Sequence, residues 1–452
     1  MSAAPRSTAH LLPPQPRLVH AARALTVWVA LGAASAFAQI VPQANAAPDQ
    51  RPRVGSVLGG TRPVVRIAAP NAAGLSHNRY SRFDVDARGV ILSNNTGTAG
   101  TELGVRVPSN PYLNGHPARV ILNEVESSQA SLLAGPIEVA GQRAEVIIAN
   151  PAGITCNGCG FINASRAMLT TGQARTDGRG LVDFSVSGGT VEIGPRGMNS
   201  RRASDTALLA EKVQVNGPVY ADQLAVFAGH TTMVLGADGN LTIVPVAARS
   251  TYLEHREGYS IDVAALGGMY ANSIRLVTLG SDSGRGVALR ASNRLRIASA
   301  GDLTIASDGE VATEAPMASG RDLTIQAPSV SLGSGVTAVR GIQVDAATIS
   351  VGALVYAGAA PSSTTRPGAG HVDLNATQSL SVFGIVQTDG QLNLVSPVID
   401  LNGSYLQGLG GVNIAPGQSL DRGRATLEPA GAPLNTEWVS TVPHWFPFAG
   451  KP

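Results

Sequence analysis

The sequence predicts an all-β protein that winds into a parallel β-helix, a solenoid in which short coils stack on one another. Three observations predict this fold: short strand patterns recur along the chain, their spacing is regular, and the composition suits narrow coils. Of 452 residues, 52 are glycine, while only 4% are aromatic and 14% are charged. This composition excludes a coiled coil, an acidic disordered tail and an ordinary helical bundle.

The recurring strand pattern begins at about residue 217. Each run places an apolar, a variable and an apolar residue in succession, which is the alternation of a half-buried strand. The runs occupy residues 224–226, 241–243, 274–276, 295–297, 303–305, 323–325, 342–344, 380–382, 392–394 and 412–414.

The spacing of these runs identifies a repeat. Leu303 is followed by Leu323 and then by Ile342, and Leu392 is followed by Val412, which is a period of about 20 residues. The intervals are Gly, Ser, Asp and Thr turns with no asparagine-bearing leucine ladder, so a β-helix with two or three strands per coil is favoured over a leucine-rich repeat. About 400 residues at about 20 per coil predict about 20 coils.

The first 47 residues resemble a secretory signal region. Three arginines precede the apolar stretch 24–31, and residues 36–38 and 44–46 both fit a small-x-small cleavage site. The apolar stretch is too short for a permanent membrane helix. We expect an exported protein with no stable transmembrane segment.

The remaining chemistry gives no sign of an enzyme. Thirty-three basic and 31 acidic residues leave a formal charge of +2, so no basic field for nucleic acid is expected. Scattered histidines and the absence of hydrolase, zinc-protease and nucleotide-binding motifs predict no catalytic residue, no metal and no cofactor. Asp302 and Asp322 align one period apart, but an aspartate before a strand is a common turn residue, and turn chemistry is preferred to a calcium ladder or active site.

Cys156 and Cys159 form a C-x-x-C pair in a chain expected to enter an oxidising compartment. A local disulfide, a redox motif and half a zinc site all fit this spacing. A disulfide is favoured because the flanking residues have strand and turn character and no second pair of zinc ligands lies nearby.

Four blocks of sequence carry a family resemblance: YSRFDVDARGVILSNN (80–95), NPYLNG (110–115) with ARVILNEV (118–125), VAGQRAEVIIANPAGITCNGCGFIN (139–163) and VNGPVY (215–220). Together they resemble the secretion domain of filamentous haemagglutinin-type exoproteins, the group that includes contact-dependent growth inhibition toxins. IDVAALGGMYA (261–271) is similar to the stem of the same family.

The resemblance implies two-partner secretion from a Gram-negative bacterium. The chain would cross the inner membrane to the periplasm, be recognised by an outer-membrane β-barrel transporter with periplasmic domains, and fold outside as a right-handed β-helix begun by an N-terminal capping and secretion module. The expected product is a secreted, surface-associated adhesin or haemagglutinin with an unidentified receptor on host cells or bacteria. The alternatives are the truncated stem of a contact-dependent growth inhibition toxin and, third, an extracellular polysaccharide lyase.

Two family motifs correspond to positions in this chain. The Asn-Pro-Asn-Leu motif corresponds to residues 110–113, with Tyr112 in place of the second asparagine, and Asn-Pro-Asn-Gly-Ile corresponds to residues 150–154, with Ala152 in that place. Asn-Pro favours a tight turn, so the motifs either shape the first coils or contact the transporter. The residues carried over are Asn110, Pro111, Leu113, Asn150, Pro151, Gly153 and Ile154.

The predicted organisation has four parts: a signal region (1–47), a two-partner secretion domain (48–216), a β-helical stem (217–430) and an aromatic-rich tail (431–452). A disulfide between Cys156 and Cys159 would pin the corner after residues 150–154 and add almost no width to a chain that threads through a pore.

Overall fold

The computed structural model describes residues 39–56, 62–177, 180–235, 241–245, 258–280, 285–290, 296–359, 370–428 and 434–436. They belong to one compact unit, Phe37–Pro452. Most of the predicted signal region, the proline-rich loop at 361–368 and most of the aromatic tail lie outside the described residues. No helix in the described ranges is long and apolar enough to cross a membrane.

The described residues form strands joined by short turns, with 3₁₀ turns at Pro48–Gln50 and Pro111–Leu113. In chain order, the strands are β1 (Ile40–Pro42), β2 (Arg53–Ser56), β3 (Pro63–Arg66), β4 (Leu75–Phe83), β5 (Val90–Asn94), β6 (Ala99–Gly100), β7 (Arg106–Val107), β8 (Val120–Val125), β9 (Ser131–Leu133), β10 (Pro136–Gly141), β11 (Ala144–Ala149), β12 (Ile154–Cys156), β13 (Cys159–Ile162), β14 (Ala164–Thr170), β15 (Gln173–Thr176), β16 (Leu181–Val186), β17 (Thr190–Ile193), β18 (Met198–Ala210), β19 (Lys212–Val215), β20 (Pro218–Ala228), β21 (Thr231–Leu235), β22 (Leu241–Pro245), β23 (Ile261–Val263), β24 (Gly268–Ala271), β25 (Ser273–Thr278), β26 (Arg285–Leu289), β27 (Ile297–Ser299), β28 (Leu303–Ser307), β29 (Glu310–Thr313), β30 (Met317–Ser319), β31 (Asp322–Leu332), β32 (Val336–Ala338), β33 (Gly341–Val351), β34 (Leu354–Ala357), β35 (His371–Val382), β36 (Ile385–Thr388), β37 (Gln391–Asp400), β38 (Tyr405–Gly408), β39 (Gly411–Asp421), β40 (Thr426–Glu428) and β41 (Leu434–Thr436).

The strands stack as three parallel faces, which makes a parallel β-helix with three strands per coil. Long strands bend and contribute to two faces. Face A contains β3, β5, β10, β13, β18, β20, β24, β27, β30, β32, β34, β36, β38 and β40. Face B contains β4, β8, β11, β14, β18, β20, β25, β28, β31, β33, β35, β37, β39 and β41. Face C contains β9, β12, β17, β19, β23, β26, β29, β31, β33, β35, β37 and β39.

The register confirms the periods predicted from the sequence. Leu303 lies opposite Leu323, Leu323 opposite Ile342, and Leu392 opposite Val412. These side chains are 0–1% exposed, as expected for inward positions that stack from coil to coil. Burying each one contributes about 1.5–3 kcal/mol, so the coils are stable only as a stack.

The described residues contain fewer coils than the sequence predicted. Face A contains fourteen strands within the described residues rather than about 20, because several coils carry insertions. Val219 lies opposite Met269, and Val355 lies opposite Val386, so these coils are much longer than the usual period. Stacking fixes the spacing of strands within a face but leaves the length of the outward connections free.

One insertion forms a separate antiparallel sheet of β15, β16, β21 and β22. Its Phe184 and Met233 are buried with Ile147, Leu209 and other outward apolar side chains of face B, in a second core. The run at 241–243, one of the repeats identified in the sequence, belongs to β22 and is not part of a coil. The alternation of apolar and polar residues predicts which side chains of a strand are buried, but it does not predict which strand pairs with it.

The N-terminal end of the β-helix is closed by antiparallel pairing. β1 pairs with β4, and β2 pairs with β3, the first strand of face A. Such pairing occupies an edge that would otherwise be open to other chains. The same apolar core continues on both sides of residues 216 and 217, and the domain boundary there remains a prediction.

Candidate functional site

The motif at 110–113 is a buried turn. Asn110 is 2% exposed, and its Nδ2 donates to the carbonyl oxygens of Ile67 and Ser93, both at 3.0 Å. Its Oδ1 accepts the backbone N–H of Tyr112 at 3.1 Å. Pro111 then opens a 3₁₀ turn whose last residue, Leu113, is buried in the core. The asparagine therefore ties this turn to neighbouring strands.

The motif at 150–154 repeats that design. Asn150 is fully buried, and its Nδ2 donates to the carbonyl oxygen of Gln129 and to Oγ of Ser131, both at 3.0 Å. Its Oδ1 accepts the backbone N–H of Ala152 at 3.0 Å. The N–H of Gly153 closes the turn on the carbonyl oxygen of Asn150 at 3.0 Å, with φ +117° at the glycine.

The remaining predicted motif residues complete these turns. Pro151 supplies the fixed φ of the second turn, and Ile154 is 1% exposed in β12, where it lies between Ser131 and Val191 on face C. The two motifs lie on different coils and share no side-chain hydrogen-bond partner. The structure does not bring them together into one surface.

The two departures from the family motifs leave the turns intact. Tyr112 and Ala152 occupy the equivalent place, and each gives its backbone N–H to the asparagine two residues earlier. Ala152 is exposed, and the Tyr112 ring lies against Arg53, whose guanidinium carbon is 4.8 Å from the ring centre. Because the turn uses only the backbone at this place, the side chain there is free to vary.

Buried asparagines that the sequence motifs did not predict surround these turns: Asn78, Asn94, Asn95 and Asn123. Asn94 donates from Nδ2 to the carbonyl oxygens of Ala118 and Gln142 at 2.9 and 2.8 Å, and so links two coils. Asn78 and Asn123 lie opposite each other at inward positions of β4 and β8. The sequence feature that could have predicted them is an asparagine at a strand position where the alternation of apolar and polar residues requires an apolar one.

A disulfide joins Cys156 and Cys159, whose Cα atoms are 5.3 Å apart. The two residues end β12 and begin β13, so the bond spans the corner between face C and face A. The side chains are 0% and 2% exposed. Sulfurs bonded to each other are not available as zinc ligands, and their burial closes the access that thiol–disulfide exchange requires, so neither the zinc nor the redox alternative fits this arrangement.

A buried carboxylate fastens the hairpin of β6 and β7 to face A. Glu138, 3% exposed, accepts the backbone N–H groups of Glu102 and Leu103 at 2.6 and 2.9 Å. Burial raises the pKa of Glu138, while the Leu103 hydrogen bond and the charge of Arg62 oppose the rise. The hairpin is thus held by a carboxylate at its turn as well as by apolar contact.

The aspartates predicted to shape turns also form ion pairs between coils. Asp302 pairs with Arg321, and Asp322 pairs with Arg340. The described residues contain no group of three or more His, Cys, Asp or Glu side chains placed to hold a metal ion.

Comparison with known proteins identifies the family to which these turns and faces belong. Residues 38–313 match the model of the TPS secretion domain, where TPS stands for two-partner secretion. The chain belongs to the TPS secretion domain family. The match covers more than half of the chain and includes both asparagine turns, the disulfide and the antiparallel sheet.

Relatives of this TPS secretion domain include much longer proteins. The chain is 43% identical over 311 residues to "Toxin CdiA" of Yersinia pestis, which is 68% of this chain and 9% of that protein. It is 40% identical over 273 residues to "16S rRNA endonuclease CdiA" of Enterobacter cloacae, which is 60% of this chain and 8% of that protein. The solved secretion domain of filamentous hemagglutinin is 27% identical, with 82% of this chain and 99% of that chain covered and a TM-score of 0.49.

Membership of the family gives the chain its general role. A TPS secretion domain is a transport domain of exported Gram-negative exoproteins, without enzymatic activity of its own, and it implies an outer-membrane transporter as partner.

Proposed function

We propose that the segment matching the TPS secretion domain carries this exoprotein to a cognate outer-membrane β-barrel transporter with periplasmic domains, and that the exported β-helix acts as a surface-associated adhesin. The match over residues 38–313 carries the export part of the proposal. Because the asparagines of the two turns face inward, they support two separate roles: the turns shape the first coils, and the surface around them contacts the transporter.

The fold supports export by folding outside the cell. Each coil buries side chains such as Leu303 and Leu323 only when the next coil stacks on it, so folding proceeds from neighbour to neighbour. Stacking of coils that have already emerged would oppose backward movement of the chain. The only disulfide in the sequence closes a short local loop, which suits a chain that passes through a pore as an extended segment.

Co-expression with the cognate transporter tests the proposal. We expect the protein in the medium or on the cell surface when the transporter is present and in the periplasm when it is absent. Protein that stays in the periplasm with a functional transporter present would contradict export by this route. Adherence of cells that display the protein to host cells or to other bacteria, compared with cells lacking it, tests the adhesin part.

The second candidate is the N-terminal part of a contact-dependent growth inhibition protein. It is favoured by the names of the relatives, which are toxins and nucleases called CdiA and which this chain matches over 8–9% of their length. A reading frame that continues beyond Pro452, or an adjacent immunity gene, would favour this candidate over the adhesin. The third candidate, a polysaccharide lyase, is tested by the appearance of unsaturated products from pectin or alginate.

A further inference from the structure

The outward side chains of face A change abruptly along the β-helix. In register from coil to coil they run Tyr220, Tyr270, Ala298, Ala318, Thr337 and Tyr356. The three small residues between Tyr270 and Tyr356 form the floor of an open groove of about 550 Å³. In this row the lining reaches from Tyr270 to Thr337, which is three coil steps, or about 14 Å at about 4.8 Å per step.

One end of this groove is an aromatic stack. The guanidinium carbon of Arg201 lies 4.4 Å from the centre of the Tyr220 ring, and Tyr220 stacks on Tyr270 with ring centres 5.2 Å apart and planes 22° apart. The next residue in the row is Ala298, so no aromatic ring continues the stack into the groove. Gly268 leaves room for the Tyr270 ring, because an added Cβ there would lie 3.1 Å from its Cε2 atom.

The charges around the groove are uneven. Arg201 and Arg296 both line it and are exposed, and among the described residues neither has a carboxylate within ion-pair distance. The neighbouring arginines, Arg321 and Arg340, are already paired with aspartates one coil away. One carboxylate lies nearby, that of Asp222, which accepts a hydrogen bond from Asn272. The groove therefore combines a flat aromatic end with guanidinium groups available to an anionic ligand.

We propose that this groove binds a linear polysaccharide built from uronic acids. A pyranose ring presents an apolar face that stacks on tyrosine, while its carboxylate matches the planar fork of an arginine. A floor of small residues in register from coil to coil leaves room for an extended chain, and the coil step of about 4.8 Å is comparable to the length of one sugar unit. The use of the groove at the cell surface rests on the proposed export, whereas binding by the purified protein does not.

The test measures binding of the purified full-length secreted protein to polygalacturonate by calorimetry, with dextran as a neutral polymer, dextran sulfate as a sulfated one and single-stranded DNA as a second polyanion. We expect polygalacturonate to bind at least about tenfold more tightly than each of the others. Stronger binding of dextran sulfate or of DNA would overturn the assignment to uronic acids, and an absence of polygalacturonate binding would overturn the site.

Substitutions locate the binding. Ala318→Phe places a ring on the floor of the groove, at an outward position of the row that holds tyrosine at 270 and 356, and we expect it to weaken polygalacturonate binding at least about tenfold. Arg296→Gln should weaken binding severalfold and reduce its dependence on salt. Ala312→Phe is the matched control, since Ala312 is the outward residue of face C in the same coil.

The control separates blocking from misfolding. Wild-type affinity in Ala312→Phe, with loss in Ala318→Phe, is the expected result. Equal affinity in both variants, or an equal loss in both, would overturn the groove as the binding site. Export of Ala318→Phe through the transporter should equal that of the wild type, so a failure of export and a failure of glycan binding are read separately.

Discussion

Replacing Asn150 with alanine tests whether the asparagine turns are structural. The substitution removes the three hydrogen bonds that this fully buried side chain makes, to Gln129, Ser131 and Ala152. At a net contribution of about 0.5–1.5 kcal/mol each, with the unsatisfied partners left in place, the loss in the free energy of unfolding is about 3 kcal/mol. This is a large fraction of the stability of an ordinary domain.

The assay is urea unfolding of the purified protein, followed by far-ultraviolet circular dichroism and by hydrogen exchange of the amides at Ala152 and Gly153. We expect a lower unfolding midpoint and faster exchange at these two amides, because their hydrogen bonds depend on the turn. The control is Asn393→Ala, which removes one hydrogen bond to Asp373 on the outer surface and should cost about 1 kcal/mol or less.

Unchanged stability together with lost export would contradict a structural role for the Asn150 turn. That result would mean that Asn150 serves the transporter directly and that its three internal hydrogen bonds contribute nothing measurable. Reduced stability with export reduced in proportion is the outcome that a structural turn requires.

Three other measurements test the turn, the disulfide and a buried carboxylate. Ala152→Asn, which restores the family motif, should change the unfolding free energy by less than about 0.5 kcal/mol and leave export unchanged, since the turn uses only the backbone there. Mass spectrometry of secreted protein should find the Cys156 and Cys159 peptide two hydrogens lighter than its reduced form, and replacing both cysteines with alanine should lower stability by about 2 kcal/mol; free thiols would contradict the disulfide. Burial raises the pKa of Glu145 above its ordinary 4.5, with Arg166 opposing the rise, so its contribution to stability is present at lower pH and is lost as the pH rises through the folded-state pKa. The urea midpoint of Glu145→Gln should therefore rise relative to that of the wild type as the pH is raised above the ordinary pKa of glutamate. A difference in midpoint that stays constant with pH would contradict this.

The β-helix could be predicted from the sequence because its apolar residues recur with the period of the coils. Inward positions such as Leu303 and Leu323 must be apolar in every coil, since each covers its neighbour, and a strand alternates with period two. The turns at 110–113 and 150–154 were predictable for a related reason, since Asn-Pro favours a tight turn, whereas their part in secretion is implied by the family resemblance alone and stays a prediction. The contacts of the turn could not be predicted, because the partners of Asn110 are Ser93 and Ile67, which lie 17 and 43 residues earlier in the chain.

Local chemistry in the sequence therefore determined the coil period, the turn residues and the short cysteine loop, because each depends on neighbours along the chain. Three features depend on the tertiary structure and could not be predicted from the sequence. They are the number of coils that remain after the insertions, the pairing of the run at 241–243 in an antiparallel sheet, and the single row that Tyr220, Tyr270 and Ala298 form on face A. These three positions lie far apart along the chain, at unequal intervals, and become adjacent on that face. Which residues become neighbours on the face depends on the length of each outward connection. The residue pattern within a single coil does not indicate that length.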